Sequence, residues 1–118
     1  MKVGLAPARE ALYTRIHART DAMLTHGWIE ELHVLLDGNL PENAKPFDFI
    51  GYRELRAVLR GEMKMEDARN AIQQSTRQYA KRQMTWFRKE PAVHWCEGFG
   101  DDPQVQAKSL KQLGEFIP

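Results

Sequence analysis

The apolar positions along this chain fall mostly at helical spacing, and a few clear stops interrupt them. Lys2 to Ala6 is a short apolar run ended by Pro7 and reads as a strand. From Ala8 to His26 the pattern turns helical: Leu12, Ile16 and Met23 share one face, and Gly27 supplies the stop. Trp28 to Leu36 is a second helix, apolar at Ile29, Leu32, Val34, Leu35 and Leu36. Asp37 to Pro46 (DGNLPENAKP) is dense in turn residues and reads as a loop. Phe47 to Tyr52 is a compact apolar turn around Gly51, and Arg53 to Arg60 is a short helix ended by Gly61. A long helix starts near Glu66 and Asp67, whose charge suits a helix N-terminus, and runs to Glu90, where Pro91 closes it. Val93 to Cys96 alternates as a short strand, Gly98 to Pro103 is a loop, and Gln104 to Phe116 is a final amphipathic helix. The expected class is mainly α with two short strands. Strands so short make a poor sheet alone and read as pieces that join something larger.

At 118 residues the chain suits one domain spanning residues 1–118, able to bury roughly two-thirds of its unfolded surface. Its 42% hydrophobic and 28% charged residues are ordinary for a soluble protein, and no apolar run approaches the ~20 residues of a membrane span. The start, MKVGLAPAREALY, has no signal-peptide pattern. A single cysteine, Cys96, excludes an internal disulfide framework and a CxxC metal site. These features predict a cytoplasmic protein with no membrane partner. His17, His26, His33 and His94 lack metal-ligand spacing, no metal ligands are expected, and no nucleophilic triad has a recognisable context. The G-x-x-x-x-G-K-[ST] phosphate loop is also missing from these residues.

Charge changes the picture. The segment Ala68 to Lys89, ARNAIQQSTRQYAKRQMTWFRK, holds six basic residues and no acidic one, in a chain whose net charge is only +1. Positive charge so segregated on a helix calls for an anionic partner. On a helical projection Gln74, Arg77, Gln78, Lys81, Thr85 and Arg88 form one stripe. Ile72, Thr76, Tyr79, Ala80, Gln83, Trp86 and Phe87 lie opposite and are expected to pack. Arg and Lys can neutralise phosphates, while Gln and Thr can hydrogen-bond sugars or base edges. A solvated helix face is the plainer alternative. Against it, no Glu or Asp is interleaved for i,i+4 pairing. Trp86 and Phe87 suit a core, with base stacking as the functional alternative.

A second oddity is Arg19, which the spacing Leu12, Ile16, Arg19, Met23 sets in the middle of a packing face. Arginine is rarely buried unless paired. Either it reaches the edge or a carboxylate such as Asp21, or its guanidinium points into a pocket for phosphate or diphosphate.

Three blocks carry a resemblance. LYTRIHARTDAMLTHGWIEEL (Leu12 to Leu32), IGYREL (Ile50 to Leu55) and STRQYAKRQMTWFR (Ser75 to Arg88), followed by VHW (Val93 to Trp95), resemble the C-terminal part of the bacterial tRNA dimethylallyltransferase (tRNA isopentenyltransferase) family. The last block is highly specific, whereas IGYRE alone is weak. The resemblance implies a piece of a P-loop-type α/β transferase fold that also has a helical insertion domain. It implies a Mg²⁺-dependent enzyme that moves a dimethylallyl group from dimethylallyl diphosphate to the exocyclic amine of the adenosine just 3′ of the anticodon. It also assigns residues. Asp48, Phe49, Ile50, Gly51, Tyr52 and Arg53 match one segment that contacts tRNA, and Lys81, Arg82, Gln83, Thr85, Trp86 and Arg88 match another. Arg77 joins them through the basic stripe, and Arg19, in the RxDxM pattern, matches an arginine that contacts the diphosphate.

The departures are equally specific. The family's phosphate loop, its aspartate general base and its helical insertion domain have no counterpart here, so the chain corresponds to roughly the last third of a member. Asp48 and Phe49 replace the smaller or amide-bearing residues the family carries at those positions. The expectation is therefore a tRNA anticodon stem-loop partner, no catalytic residue in this chain, no Mg²⁺ or other cofactor bound by it, and no prenyl transfer by it alone. Two other classes stay open: a stand-alone helical RNA-binding module, and a helical domain that docks on an acidic protein surface.

Overall fold

The computed structural model describes residues 2–38, 40, 41 and 43–116. In order, the elements are β1 (Lys2–Leu5), α1 (Arg9–Thr25), α2 (Trp28–Asp37), a 3-10 turn (Lys45–Asp48), α3 (Tyr52–Leu59), α4 (Met65–Phe87), β2 (Val93–Cys96) and α5 (Pro103–Phe116). The chain is mainly helical with two short strands, as its periodicity predicts. Positions 39 and 42 of the expected loop lie outside the described residues. The chain divides into two compact units, Arg15–Ala80 and Met1–Thr14 with Lys81–Pro118.

The Arg15–Ala80 unit is built around Trp28, Leu32, Phe47, Leu55 and Ile72. Gly27, at φ 99°, ends α1 and lets α2 start at once, a backbone state that favours glycine. Trp28, Leu32 and the partly buried Leu35 and Leu36 then form one stripe along α2. Phe47 arrives from the 3-10 turn, where the sequence suggests only loop and apolar turn. Pro46 needs no N–H donor near the start of that turn, and its carbonyl accepts from the Phe49 N–H at 3.2 Å. The Arg56 guanidinium lies 5.1 Å from the centre of the Phe47 ring and helps hold α3 to the turn. Gly61, at φ 73°, follows α3, as expected of a helix stop. Leu32, Leu55 and Ile72 are fully enclosed, each worth roughly 1.5–3 kcal/mol of burial.

In the other unit β1 and β2 pair in parallel, with Lys2 opposite Val93, Val3 opposite His94, Gly4 opposite Trp95 and Leu5 opposite Cys96. The Ala6 N–H extends the ladder to the Cys96 carbonyl at 2.8 Å. A Cβ on Gly4 would stand 2.6 Å from the Trp95 ring, so glycine here is what lets the indole lie across the neighbouring strand. α5 packs on β2 and buries Val105 and Cys96. Lys2 Nζ meets Glu90 Oε2 at 2.8 Å on the surface, a pair worth at most about 1 kcal/mol.

Candidate functional site

The segment from Asp48 to Arg53 is a rigid bend with three outward side chains. Its centre is Gly51, buried at φ 96°, whose N–H donates to Glu54 Oε2 at 2.7 Å. Glu54, only 5% exposed, thereby satisfies an N–H at the start of α3. Its other oxygen accepts from Arg53 Nη2 at 3.1 Å. Ile50 and Tyr52 pack inward, and Tyr52 meets Trp28 edge-on with ring centres 6.1 Å apart. Asp48, Phe49 and Arg53 are exposed. The structure thus brings all six of these candidates into one bend but presents only three side chains to solvent.

α4 carries the second group. In the Arg15–Ala80 unit, Gln74 and Gln78 lie on the outer side of the helix and Arg77 is half-buried. The Arg77 guanidinium Nη1 donates to His17 Nε2 on α1 at 2.5 Å. In the other unit, Lys81, Arg82, Gln83, Thr85 and Trp86 stand near the end of α4, and Arg88 is exposed in the turn that follows. Lys81, Arg82, Thr85, Trp86 and Lys89 line a shallow cavity of about 310 Å³. Three cationic side chains beside an open indole face can hold a phosphate and a stacked ring together. Lys89 is a member of this cavity that neither the basic stripe nor the family resemblance assigns. Its signal lies in the sequence, because it stands four residues after Thr85 in the basic run.

Two expectations are corrected. Helical spacing sets Trp86 and Phe87 on a packing stripe, yet Trp86 is 60% exposed and Phe87 is exposed too. Their rings meet edge to face at 4.8 Å and border an apolar cavity of about 500 Å³ with Val3, Gly4, Val93 and Trp95. Tyr79 on the same stripe is also exposed. On that stripe full burial is limited to Ile72, since the apolar cluster lies beside the first half of α4.

The second correction concerns Arg19. It is exposed, and Met23 is 37% exposed. The residues of α1 turned from solvent are Leu12, Tyr13, Ile16, His17, Thr20 and Leu24, of which only Thr20 is fully buried. Spacing by four from Ile16 describes the helix better than the step of three that reaches Arg19. Thr20 tolerates burial because its hydroxyl donates to the Ile16 carbonyl at 3.0 Å. Arg19 therefore offers its charge to solvent. Among the described residues no three of His, Cys, Asp and Glu are grouped to hold a metal ion.

The IPP transferase family model matches residues 1–90, and the chain belongs to that family. Among individual relatives, it is 37% identical over 117 residues to the tRNA dimethylallyltransferase of Solibacter usitatus, covering 99% of this chain and 38% of that protein. It is 43% identical over 111 residues to the tRNA dimethylallyltransferase of Koribacter versatilis, covering 94% of this chain and 36% of that one. The crystal structure of tRNA delta(2)-isopentenylpyrophosphate transferase from Staphylococcus epidermidis superposes with a TM-score of 0.86 at 35% identity, over 99% of this chain and 38% of its own. The full-length tRNA isopentenylpyrophosphate transferase from Bacillus halodurans gives 0.83 at 33% identity, over 99% and 37%. The helices and the parallel strand pair are therefore a piece of that larger fold. The chain spans little more than a third of the length of these relatives. Among the described residues no helix is long and apolar enough to cross a membrane.

Proposed function

We propose that this chain is the C-terminal, tRNA-engaging part of a tRNA dimethylallyltransferase acting in the cytoplasm. In the whole enzyme the exocyclic amine of the adenosine 3′ of the anticodon attacks the allylic carbon of dimethylallyl diphosphate. The new N–C bond forms as the C–O bond breaks, diphosphate leaves with the electron pair, and the amine gives up a proton. Membership of the IPP transferase family supports the reaction class. The observation that carries the role of this piece is the end of α4 and its following turn, where Lys81, Arg82, Arg88 and Lys89 are exposed beside an open Trp86. Such a surface attracts a phosphate backbone and offers an unpaired base a stacking platform. The exposed bend at Asp48, Phe49 and Arg53 supplies a second surface for the anticodon arm.

The solvent-facing guanidinium of Arg19 suits contact with the diphosphate. In this reading the phosphate loop, whose sequence is missing from these residues, and the Mg²⁺ it would hold lie in the rest of the enzyme. Alone, the chain should bind but not prenylate. The test is binding of an unmodified anticodon stem-loop across a salt series, beside a variant with Arg77, Lys81 and Arg88 all changed to Glu. Salt-sensitive binding that the variant abolishes supports the reading. Equal binding by both proteins, or none by either, removes RNA engagement from this piece.

A further inference from the structure

We infer that His17 is a positioning residue for Arg77, holding its guanidinium ready for an RNA phosphate. The inference rests on the RNA-engaging reading of α4 and adds to it a residue from α1, far from the basic run. The two side chains are 60 positions apart in sequence and come together across α1 and α4 within the Arg15–Ala80 unit. Arginine has five N–H donors and no acceptor. In a bond between Arg77 Nη1 and His17 Nε2 the imidazole must therefore be the acceptor. That requirement turns the Nε2 lone pair toward Arg77 and leaves the ring proton to Nδ1. Neither is demanded of an imidazole that merely fills space.

The pairing is not a stray surface contact. Both residues are half-buried, and the same two helices are bridged again by Arg69 Nε and Asp21 Oδ1 at 3.4 Å. The second bridge lies one turn further along α1 and two turns back along α4, so the helices run in opposite directions here. An arginine on a helix surface ordinarily samples many rotamers, and ordering them on binding costs affinity. His17 occupies one donor and selects one orientation in advance, while the planar fork keeps its remaining donors for a phosphate oxygen.

The experiment has two readouts on the full chain. The first is the ¹⁵N spectrum of the His17 ring at about pH 7.5, which should show a protonated Nδ1 and a bare Nε2. A ring protonated on Nε2, or on both nitrogens, overturns the inference whatever the RNA does. The second is a cycle of H17F and R77Q in stem-loop binding, with H17Q as the conservative variant, since its amide oxygen can accept from Arg77. H17F should weaken binding about fivefold when Arg77 is present and leave R77Q unchanged, and H17Q should restore most of the affinity. If R77Q weakens binding but H17F does not, or if the two effects simply add, the positioning role fails while the RNA-binding reading stands. If no variant and no native chain binds RNA, that reading fails and the inference falls with it. H17Q also guards against a folding artefact, because it preserves polarity and the acceptor at the half-buried position.

Discussion

Gly51 lies flat against the Trp28 indole: a Cβ built on it would stand 2.1 Å from the ring carbons Cζ2 and Cη2. The residue also holds φ 96°, where side chains are strained. Both terms act together in G51A. The backbone term costs about 1 kcal/mol and the overlap about 1–3 kcal/mol more, because the indole is itself enclosed. Urea denaturation should show a fall of about 3 kcal/mol with an unchanged slope. A fall below about 0.5 kcal/mol would mean that the indole does not occupy that position.

Glu54 is the buried partner of the same bend. E54A removes the acceptor of the Gly51 N–H and leaves a buried donor unsatisfied, at a cost of about 1–3 kcal/mol. E54Q keeps a carbonyl oxygen in place and should cost less than half as much. Equal costs for the two variants would show that the charge, and not the hydrogen bond to Gly51, is what matters there.

Arg19 provides the sharpest contrast between reading by spacing and reading by structure. A buried, paired arginine would cost about 3–5 kcal/mol on removal. The exposed Arg19 of this structure should give R19A a stability within about 0.5 kcal/mol of the native chain. Thermal or urea unfolding of that single variant decides between the two placements.

At the end of α4, W86A should weaken stem-loop binding by about 1–3 kcal/mol, the range for one stacked base, and barely change stability since the ring is largely open to solvent. K89E should instead lower the salt dependence, by a slope of about 1 for each phosphate it no longer neutralises. A W86A variant that binds RNA normally would assign the open indole to protein packing.

The legible parts of this chain are those with local causes. Gly27 and Gly61 mark where helices stop and the Val93–Cys96 strand follows directly from its alternation, whereas α4 ends at Phe87, short of the Glu90 boundary that Pro91 suggests. The 3-10 turn at Lys45–Asp48 is less visible because turn residues and a short helical turn share the same composition. α1 misleads because its apolar residues do not gather on one face, so steps of three and of four both look plausible and the wrong one reaches Arg19. The chemistry of an indole favours burial, whereas the exposure of Trp86 depends on what stands opposite it. The contact of His17 with Arg77 and the parallel pairing of β1 with β2 join residues far apart in sequence. No local pattern carries such pairings.

The strand pairing has a kinetic consequence. Lys2 can meet Val93 only after roughly ninety residues of chain have been brought round to close the loop, an entropic cost of about 4 kcal/mol before any ladder bond rewards it. The cluster of Trp28, Leu32, Phe47, Leu55 and Ile72 closes a stretch about half as long, at a cost lower by about 0.6 kcal/mol. Amide protons of β1 and β2 are expected to exchange with solvent before those of α2 and α3, because both strands are short and mostly unburied. The strand pair is joined only through the longest loop closure among these contacts, so its order is tied to the two ends of the polypeptide being held together.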